Sequence, residues 1–358
     1  MSRSPGRGGA PSDADDSSRD APPPRETMVL FGHQAAEQAF LSSYRSGRIP
    51  HSWLIGGEAG IGKATLAYRM ARFVLANPDP TSPAVQHATT LALDPAHPTV
   101  RRIAGNAHTD LLVLERVAGD SGALRTVITV DQVRRTVSFF GVTAGEGGWR
   151  VCIVDAADEL KQPEAANALL KMLEEPPARS LFLLVSHAPG RLLPTIRSRC
   201  RRLTLAPLAT ADVVAAATAA LGPDADTATL AAAAEASGGS VARALALAGG
   251  AQLALRREVE AMLAALPSTD PNALHALGDR LDRDRALLEA FVNTVRDFLR
   301  RRLDTEIAAP APDKARLVGT ADLWDALNRQ ARDVEVYNLE RKPLVFATFA
   351  RLADATRG

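Results

Sequence analysis

A glycine-rich loop at residues 57–65, with the sequence Gly-Glu-Ala-Gly-Ile-Gly-Lys-Ala-Thr, constrains the fold of this chain more than any other feature. It follows the apolar run Trp53–Ile55 and precedes a segment of helical period. Glycines let the backbone N–H groups converge on an anion, and the start of the following helix adds partial positive charge. This order of strand, loop, lysine and helix predicts a phosphate-binding loop rather than a simple helix cap. The residues predicted to bind a nucleotide are Gly57, Gly60, Gly62, Lys63, Ala64 and Thr65.

The residue after the lysine departs from the usual pattern of such loops. A Ser or Thr hydroxyl normally stands there and holds Mg²⁺, whereas this chain has Ala64, with Thr65 one position further on. The apolar run 151–154 ends in Asp155, which matches the acidic residue that helps to hold Mg²⁺ at the end of a neighbouring strand. The sequence therefore predicts a site that can hold ATP or ADP without efficient turnover and that requires no cofactor.

Four short apolar runs alternate with segments of helical period. They are Trp53–Ile55, Leu111–Leu114, Val151–Val154 and Leu181–Val185. Such alternation predicts βαβ units and a parallel sheet, and therefore the α/β fold class. A helix is predicted over 164–175 because its apolar residues fall on one face and prolines follow at 176 and 177.

Composition divides the chain into regions. The first residues are rich in Ser, Pro, Gly, Asp and Arg, and from 208 onward strand-like runs give way to alanine-rich helical segments. Helices are predicted at Ala211–Leu221, Thr227–Ala236, Leu253–Leu266, Arg285–Leu303 and Val334–Ala355. The predicted regions are a disordered tail at 1–27, an α/β domain at 28–207, a small helical domain at 208–250 and an all-helical domain at 251–358.

Charge and cysteine usage exclude several classes of protein. The 42 basic residues nearly balance the 41 acidic ones, so the overall charge gives no reason to expect nucleic-acid or membrane binding by the chain alone. No apolar stretch is long enough for a membrane span, and no signal peptide is evident. Cys152 and Cys200 are too few for a disulfide framework. We therefore expect a cytoplasmic protein with no membrane partner.

Two runs in the α/β region carry a family resemblance. The first is 167–177, Asn-Ala-Leu-Leu-Lys-Met-Leu-Glu-Glu-Pro-Pro, and the second is 186–200, which ends in Ser-Arg-Cys. They resemble the AAA+ subunits of bacterial DNA polymerase III clamp loaders, and most of all the delta-prime branch. The stretches 31–34, 51–55 and 337–342 fit the same family, so the resemblance covers roughly 28–355.

The resemblance implies an AAA+ P-loop domain, a helical lid and a helical collar for oligomerisation. Subunits of this family form a ring that opens the sliding clamp and loads it on primed DNA. Its members work within the polymerase III holoenzyme, a DNA-directed DNA polymerase and thus a nucleotidyltransferase. The implied partners are the gamma/tau and delta subunits, with indirect contact to the clamp and the DNA.

The same resemblance assigns roles to single residues. Ser186 matches a sensor residue at a strand end, and Arg199 matches the arginine offered in trans to the adjacent subunit's ATP. In AAA+ ATPases a Glu follows the acidic strand and polarises the attacking water, but Ala156 stands here, and Asp158 and Glu159 are predicted to lie past the turn on another face. The chain alone is therefore not expected to be a competent ATPase.

Further departures concern the lid and a zinc module. Ala242 stands where active loaders have a second sensor arginine, and Arg243 would be rotated by about 100° on a regular helix. Many relatives carry four zinc-binding cysteines after the loop helix, but residues 76–110 contain none. We expect no zinc and no other metal site.

Other interpretations remain open. An active gamma/tau-like ATPase would require Ser or Thr at 64 and Glu at 156, and a small-molecule P-loop kinase would require substrate-binding loops instead of the helical tail. Around Arg199, the neighbouring Arg197, Arg201 and Arg202 are expected to be solvated or structural charges.

Overall fold

The computed structural model describes residues 22–116, 127–141, 148–222, 225–337 and 339–357. They form two compact units, and the division falls between Leu245 and Ala246. This position is close to the boundary predicted at 250. Of the tail predicted at 1–27, residues 1–21 lie outside the described residues.

The first unit is built on a five-stranded sheet with the strand order β2-β3-β4-β1-β5. All its strand pairs are parallel. The strands are Ser52–Gly56 (β1), Leu111–Glu115 (β2), Arg150–Asp155 (β3), Ser180–Ser186 (β4) and Arg201–Thr204 (β5). Each of the four predicted runs lies within a strand, so the α/β prediction is confirmed.

The fifth strand was missed by the sequence analysis. Among the described strands, β5 pairs with β1 alone, at the edge of the sheet, and of its side chains only Leu203 is buried. Arg201 and Arg202 are exposed, and the Arg201 guanidinium lies 5.5 Å from the centre of the Trp53 ring. An edge strand with one buried side chain lacks the apolar run that identifies a central strand.

Helices cover both faces of the sheet, and each face has its own core. Alternate residues of β1 separate the two cores: Trp53 and Ile55 join one cluster, and Leu54 joins the other. Cys200 lies in the second cluster, as expected for a small buried apolar side chain. The helices of this unit are Gln34–Arg45 (α1), Lys63–Ala76 (α2), Pro83–His87 (α3), Pro98–Ala104 (α4), Val130–Gly141 (α5), Glu164–Glu174 (α6), Pro194–Arg199 (α7), Thr210–Leu221 (α8), Thr227–Ala236 (α9) and the first part of Val241–Ala248 (α10).

A segment ahead of α1 corrects the predicted limit of the disordered tail. Residues 22–31, here called the strap, pack against α2. The Arg72 side chain is 2% exposed and donates hydrogen bonds to the carbonyl oxygens of Thr27 (2.9 Å) and Arg25 (2.6 Å). Arg69 donates to the carbonyl oxygen of Met28 at 2.7 Å. Residues 22–27 are therefore ordered, because two arginines of a buried helix satisfy the strap's backbone carbonyl groups.

In the second unit, the described residues from Ala246 onward form helices that pack around one hydrophobic core. Its helices are Ala251–Ala264 (α11), Pro271–Arg283 (α12), Arg285–Ala308 (α13), Lys314–Tyr337 (α14) and Lys342–Arg357 (α15). The prediction of one continuous helix over 334–355 was wrong, because the chain leaves α14 after Tyr337 and starts α15 at Lys342. Pro343 suits the first turn of a new helix but would break an existing one. None of the helices that the structure describes is long and apolar enough to cross a membrane.

Candidate functional site

The glycine loop has the backbone geometry that the sequence predicts. Gly57, Gly60 and Gly62 have φ values of 147°, 75° and 95°, which side-chain-bearing residues rarely adopt. α2 begins directly after Gly62, at Lys63. A Cβ at Gly57 would lie 2.6 Å from the carbonyl oxygen of Leu205, so close backbone packing also requires glycine at this position. The loop thus places the N-terminus of α2 at the end of β1.

The loop is joined to the small helical region through Gly60. The carbonyl oxygen of Gly60 accepts hydrogen bonds from the backbone N–H groups of Val241 (2.9 Å) and Ala242 (3.3 Å), at the start of α10. A Cβ at Gly60 would stand 2.3 Å from Ser240 Oγ. The first turn of α10 therefore rests directly on the phosphate-loop backbone.

Substituting Gly60 by alanine is expected to separate α10 from the loop. The new methyl group would overlap Ser240 Oγ, and alanine would be strained at a φ of 75°. We expect the free energy of unfolding of the first unit to fall by about 2–4 kcal/mol, the sum of overpacking and backbone strain, measured by chemical denaturation. Gly47→Ala is the matched control, since Gly47 has a φ of 66° with nothing within 4 Å of its added Cβ. Equal losses for the two variants would contradict the proposed contact.

A cleft of about 840 Å³ lies beside the loop and is large enough for a nucleotide. It brings together most of the predicted site residues, including Lys63 and Asp155, and Ala156 also lines it. Its walls are the loop, the strap, the ends of β2 and β3, and the helices α8 and α10. The predicted nucleotide-binding residues that line it are Gly60, Gly62, Lys63, Ala64 and Thr65. Gly57 lies outside this lining and shapes the turn behind it.

Lys63 and Asp155 both line the cleft, and the charge of each affects the pKa of the other. The Lys63 side chain is only 3% exposed, and its Nζ donates a hydrogen bond to the carbonyl oxygen of Glu58. Burial lowers the pKa of Lys63 to about 8, although the charge of Asp155 opposes this shift. Burial raises the pKa of Asp155 to about 6, with a further contribution from Glu115. Both groups are therefore mostly ionised at neutral pH, and each would be stabilised by a ligand of opposite charge.

Asp158 and Glu159, the two acids after β3, have different surroundings. The prediction that both lie on another face is corrected for Glu159. Glu159 lines the cleft, but its Oε2 forms a salt bridge with Arg116 Nε at 2.9 Å. Asp158 instead accepts a hydrogen bond at 2.9 Å from the backbone N–H of His187. Among the described residues, no group of three or more His, Cys, Asp or Glu side chains is arranged to hold a metal ion. The carboxylate of Glu159 is thus engaged by a cation rather than free to act as a base.

Ser186, which the resemblance matches to a sensor residue, does not line the cleft, whereas its neighbour His187 does. Ser186 is fully buried at the end of β4, and its Oγ finds no hydrogen-bond partner in the described part of the chain. His187, the next residue, is exposed and lines the cleft. Side chains alternate across a strand, so only one of two consecutive residues can face the cleft. His187 is a cleft residue that the sequence analysis did not identify.

Ala242, which the resemblance places where active loaders have a second sensor arginine, also lies at the cleft. Ala242 lines it, whereas Arg243 does not. The methyl group of Ala242 offers no charge to a phosphate. This arrangement agrees with the helical rotation predicted for Arg243.

Arg199 lies away from the cleft, at the end of α7. Its Nη2 forms a salt bridge with Glu174 Oε1 at 2.8 Å, and its Nη1 donates a hydrogen bond to the carbonyl oxygen of Thr195 at 3.0 Å. The side chain is 36% exposed. Arg199 therefore cannot serve the nucleotide site of its own chain but can present part of its guanidinium to another molecule.

The glycine loop, the helix that starts at its lysine, the parallel sheet and the helical lid define a P-loop domain of the AAA+ class. Residues 32–209 match the family model described as DNA polymerase III, delta subunit. The DNA polymerase III subunit delta' of Pseudomonas aeruginosa is 39% identical over 150 residues, and that of Escherichia coli is 35% identical over 171 residues. The gamma/tau subunit of Mycobacterium tuberculosis is 30% identical over 179 residues. Over residues 32–209, just under half of its length, the chain is similar to DNA polymerase III clamp-loader subunits.

These similarities cover part of each protein. The matched segments span 42% and 48% of this chain, and 41% and 46% of the two delta' relatives. The gamma/tau match spans 49% of this chain and 28% of that relative.

Proposed function

We propose that this chain is a delta-prime-type subunit of the DNA polymerase III clamp loader that hydrolyses ATP weakly or not at all. In this role it helps to load the sliding clamp on primed DNA and supplies Arg199 in trans to a neighbouring ATPase subunit. The observation that carries the proposal is a nucleotide-sized cleft with alanine at the three places where hydrolysis needs a functional group. These are Ala64, Ala156 and Ala242, all of which line the cleft.

The chemistry of phosphoryl transfer supports this interpretation. Catalysis depends on charge stabilisation around Mg²⁺ and on a positioned water, rather than on covalent chemistry by the protein. This cleft retains Lys63 and Asp155, which suit binding of ATP or ADP, but lacks the hydroxyl beside the lysine and the Glu after Asp155. We infer that the cleft holds a nucleotide without efficient turnover. No zinc is required.

The proposed partners follow from the relatives. The compared delta' subunits are 39% and 35% identical to the matched part of this chain, against 30% for the gamma/tau subunit. We propose gamma/tau and delta subunits as its partners, in the cytoplasm, with the clamp and DNA contacted through the assembly. An active gamma/tau-like role is the second candidate. Glu159 in the cleft favours it, but the salt bridge to Arg116 opposes it.

The isolated chain is expected to turn over ATP far more slowly than about 1 s⁻¹, which is the low end for competent enzymes. The measurement is steady-state phosphate release by the purified chain, with and without primed DNA. Lys63→Ala is the control, because turnover that survives this change comes from a contaminant. Turnover at about 1 s⁻¹ or faster that is lost in Lys63→Ala would favour the gamma/tau-like role and refute a non-hydrolysing subunit.

A further inference from the structure

We propose that Glu174 is a positioning residue that orients the Arg199 guanidinium toward the nucleotide of the neighbouring subunit. This inference rests on the proposed trans role of Arg199 and adds a second residue to it. Glu174 touches neither the cleft of its own chain nor, in this proposal, the neighbouring nucleotide. It acts only through Arg199.

The Arg199 side chain is held from two sides. Glu174 Oε1 lies 2.8 Å from Nη2, and the carbonyl oxygen of Thr195 lies 3.0 Å from Nη1. Its backbone is fixed as well, since Ser52 Oγ at the start of β1 donates to the Arg199 carbonyl oxygen at 2.7 Å. Contacts to both terminal nitrogens define the plane of the guanidinium, which a single contact would leave free to rotate.

The position of Glu174 is itself fixed by helix α6. It is the last residue of α6, whose Leu169 and Leu173 are buried in the core of the sheet. The ring Nε2 of His51 lies 3.1 Å from the carbonyl oxygen of Leu173 and can donate to it, which ties the end of α6 to the residue preceding β1. The backbone of Glu174 is therefore fixed, although its side chain is 42% exposed.

The ion pair between Glu174 and Arg199 leaves the arginine able to bind an anion. A guanidinium has five N–H donors in a planar fork, and Glu174 and Thr195 engage one terminal nitrogen each. The remaining donors can meet phosphate oxygens of another molecule. An exposed arginine samples many rotamers, and restricting them before binding reduces the entropy lost when the phosphate arrives. The half-exposed ion pair is weak by itself, so it guides the side chain without withholding it from a phosphate.

The test is a double-mutant cycle on ATP hydrolysis by the assembled complex. Glu174→Ala should lower the kcat of the partner site by about two- to fivefold, the factor expected for a half-exposed ion pair, with KM for ATP nearly unchanged. In an Arg199→Ala background the same change should have no further effect, because Glu174 acts through the arginine. Glu175→Ala is the matched control, since Glu175 is also exposed and its side chain forms no hydrogen bond or ion pair with the residues that the structure describes.

The outcomes separate this inference from the proposed function. If Arg199→Ala lowers hydrolysis but Glu174→Ala equals the wild type, or lowers it equally in both backgrounds, the positioning role is wrong and the trans role stands. If Arg199→Ala itself has no effect, both fail. Glu174→Gln keeps a hydrogen-bond acceptor and should retain more activity than Glu174→Ala; equal losses would also overturn the positioning role.

Discussion

Replacing Arg199 by alanine is expected to lower DNA- and clamp-stimulated ATP hydrolysis at the adjacent subunit by about 10³-fold or more, since a trans arginine contributes ~10³–10⁵ in rate. The fold should be preserved, because the side chain is partly exposed and its ion pair with Glu174 is exposed as well. The complex should assemble normally. The measurement is single-turnover hydrolysis by the reconstituted complex, which separates the affected site from the others.

Two further substitutions sharpen this prediction. Arg199→Lys should restore little, because lysine offers a point charge where the planar fork of arginine meets two phosphate oxygens. Arg202→Ala is the control for loss of a positive charge, because Arg202 is exposed on β5 and is close to Arg199 in sequence. Hydrolysis at the wild-type rate by Arg199→Ala complexes, or equal losses for Arg199 and Arg202, would assign Arg199 to the solvated charges around it.

Deleting residues 251–358 is expected to abolish assembly while leaving the first unit folded. The hydrophobic cores on both faces of the sheet lie within the first unit, and the division between units precedes the deletion. The deleted unit carries apolar side chains that its own core does not cover: Ile307, Val318 and Leu339 are 63%, 60% and 51% exposed. In the proposed role, these uncovered side chains are available to contact neighbouring subunits. Co-purification with gamma/tau and delta subunits measures assembly, and circular dichroism checks the fold of the truncated chain.

This deletion has a clear contrary result. Unchanged affinity of the truncated, folded chain for the complex would show that the collar assignment is wrong. A chain that fails to fold is distinguished by loss of the cooperative unfolding transition of the first unit.

The central strands and the loop could be predicted because their signals are local. Apolar runs mark the buried strands, and the three glycines in the loop occupy positions of positive φ that only glycine adopts readily. Neither signal requires knowledge of which elements pack together. The same holds for Ala64 and Ala156, whose lack of a functional group is read directly from the sequence.

Features that depend on contacts distant in sequence could not be predicted. The strap is ordered by Arg72, which lies 45 residues from Thr27 in the sequence. The composition of the strap itself resembles that of a disordered segment. β5 has a single buried side chain, so its strand character comes from pairing with β1. The ion pair between Glu174 and Arg199 forms only because α6 and α7 end side by side. Which of Ser186 and His187 faces the cleft depended on the register of β4.

The central claim is tested most directly by comparing ATP hydrolysis by two reconstituted complexes. In one, this chain carries Lys63→Ala, and in the other it carries Arg199→Ala. Lys63 belongs to the chain's own cleft, and Arg199 lies away from it. If this subunit contributes an arginine rather than a working active site, the Lys63→Ala complex should hydrolyse ATP at close to the wild-type rate and the Arg199→Ala complex should be severely impaired. Loss of activity with Lys63→Ala, together with normal activity of Arg199→Ala, would contradict the account.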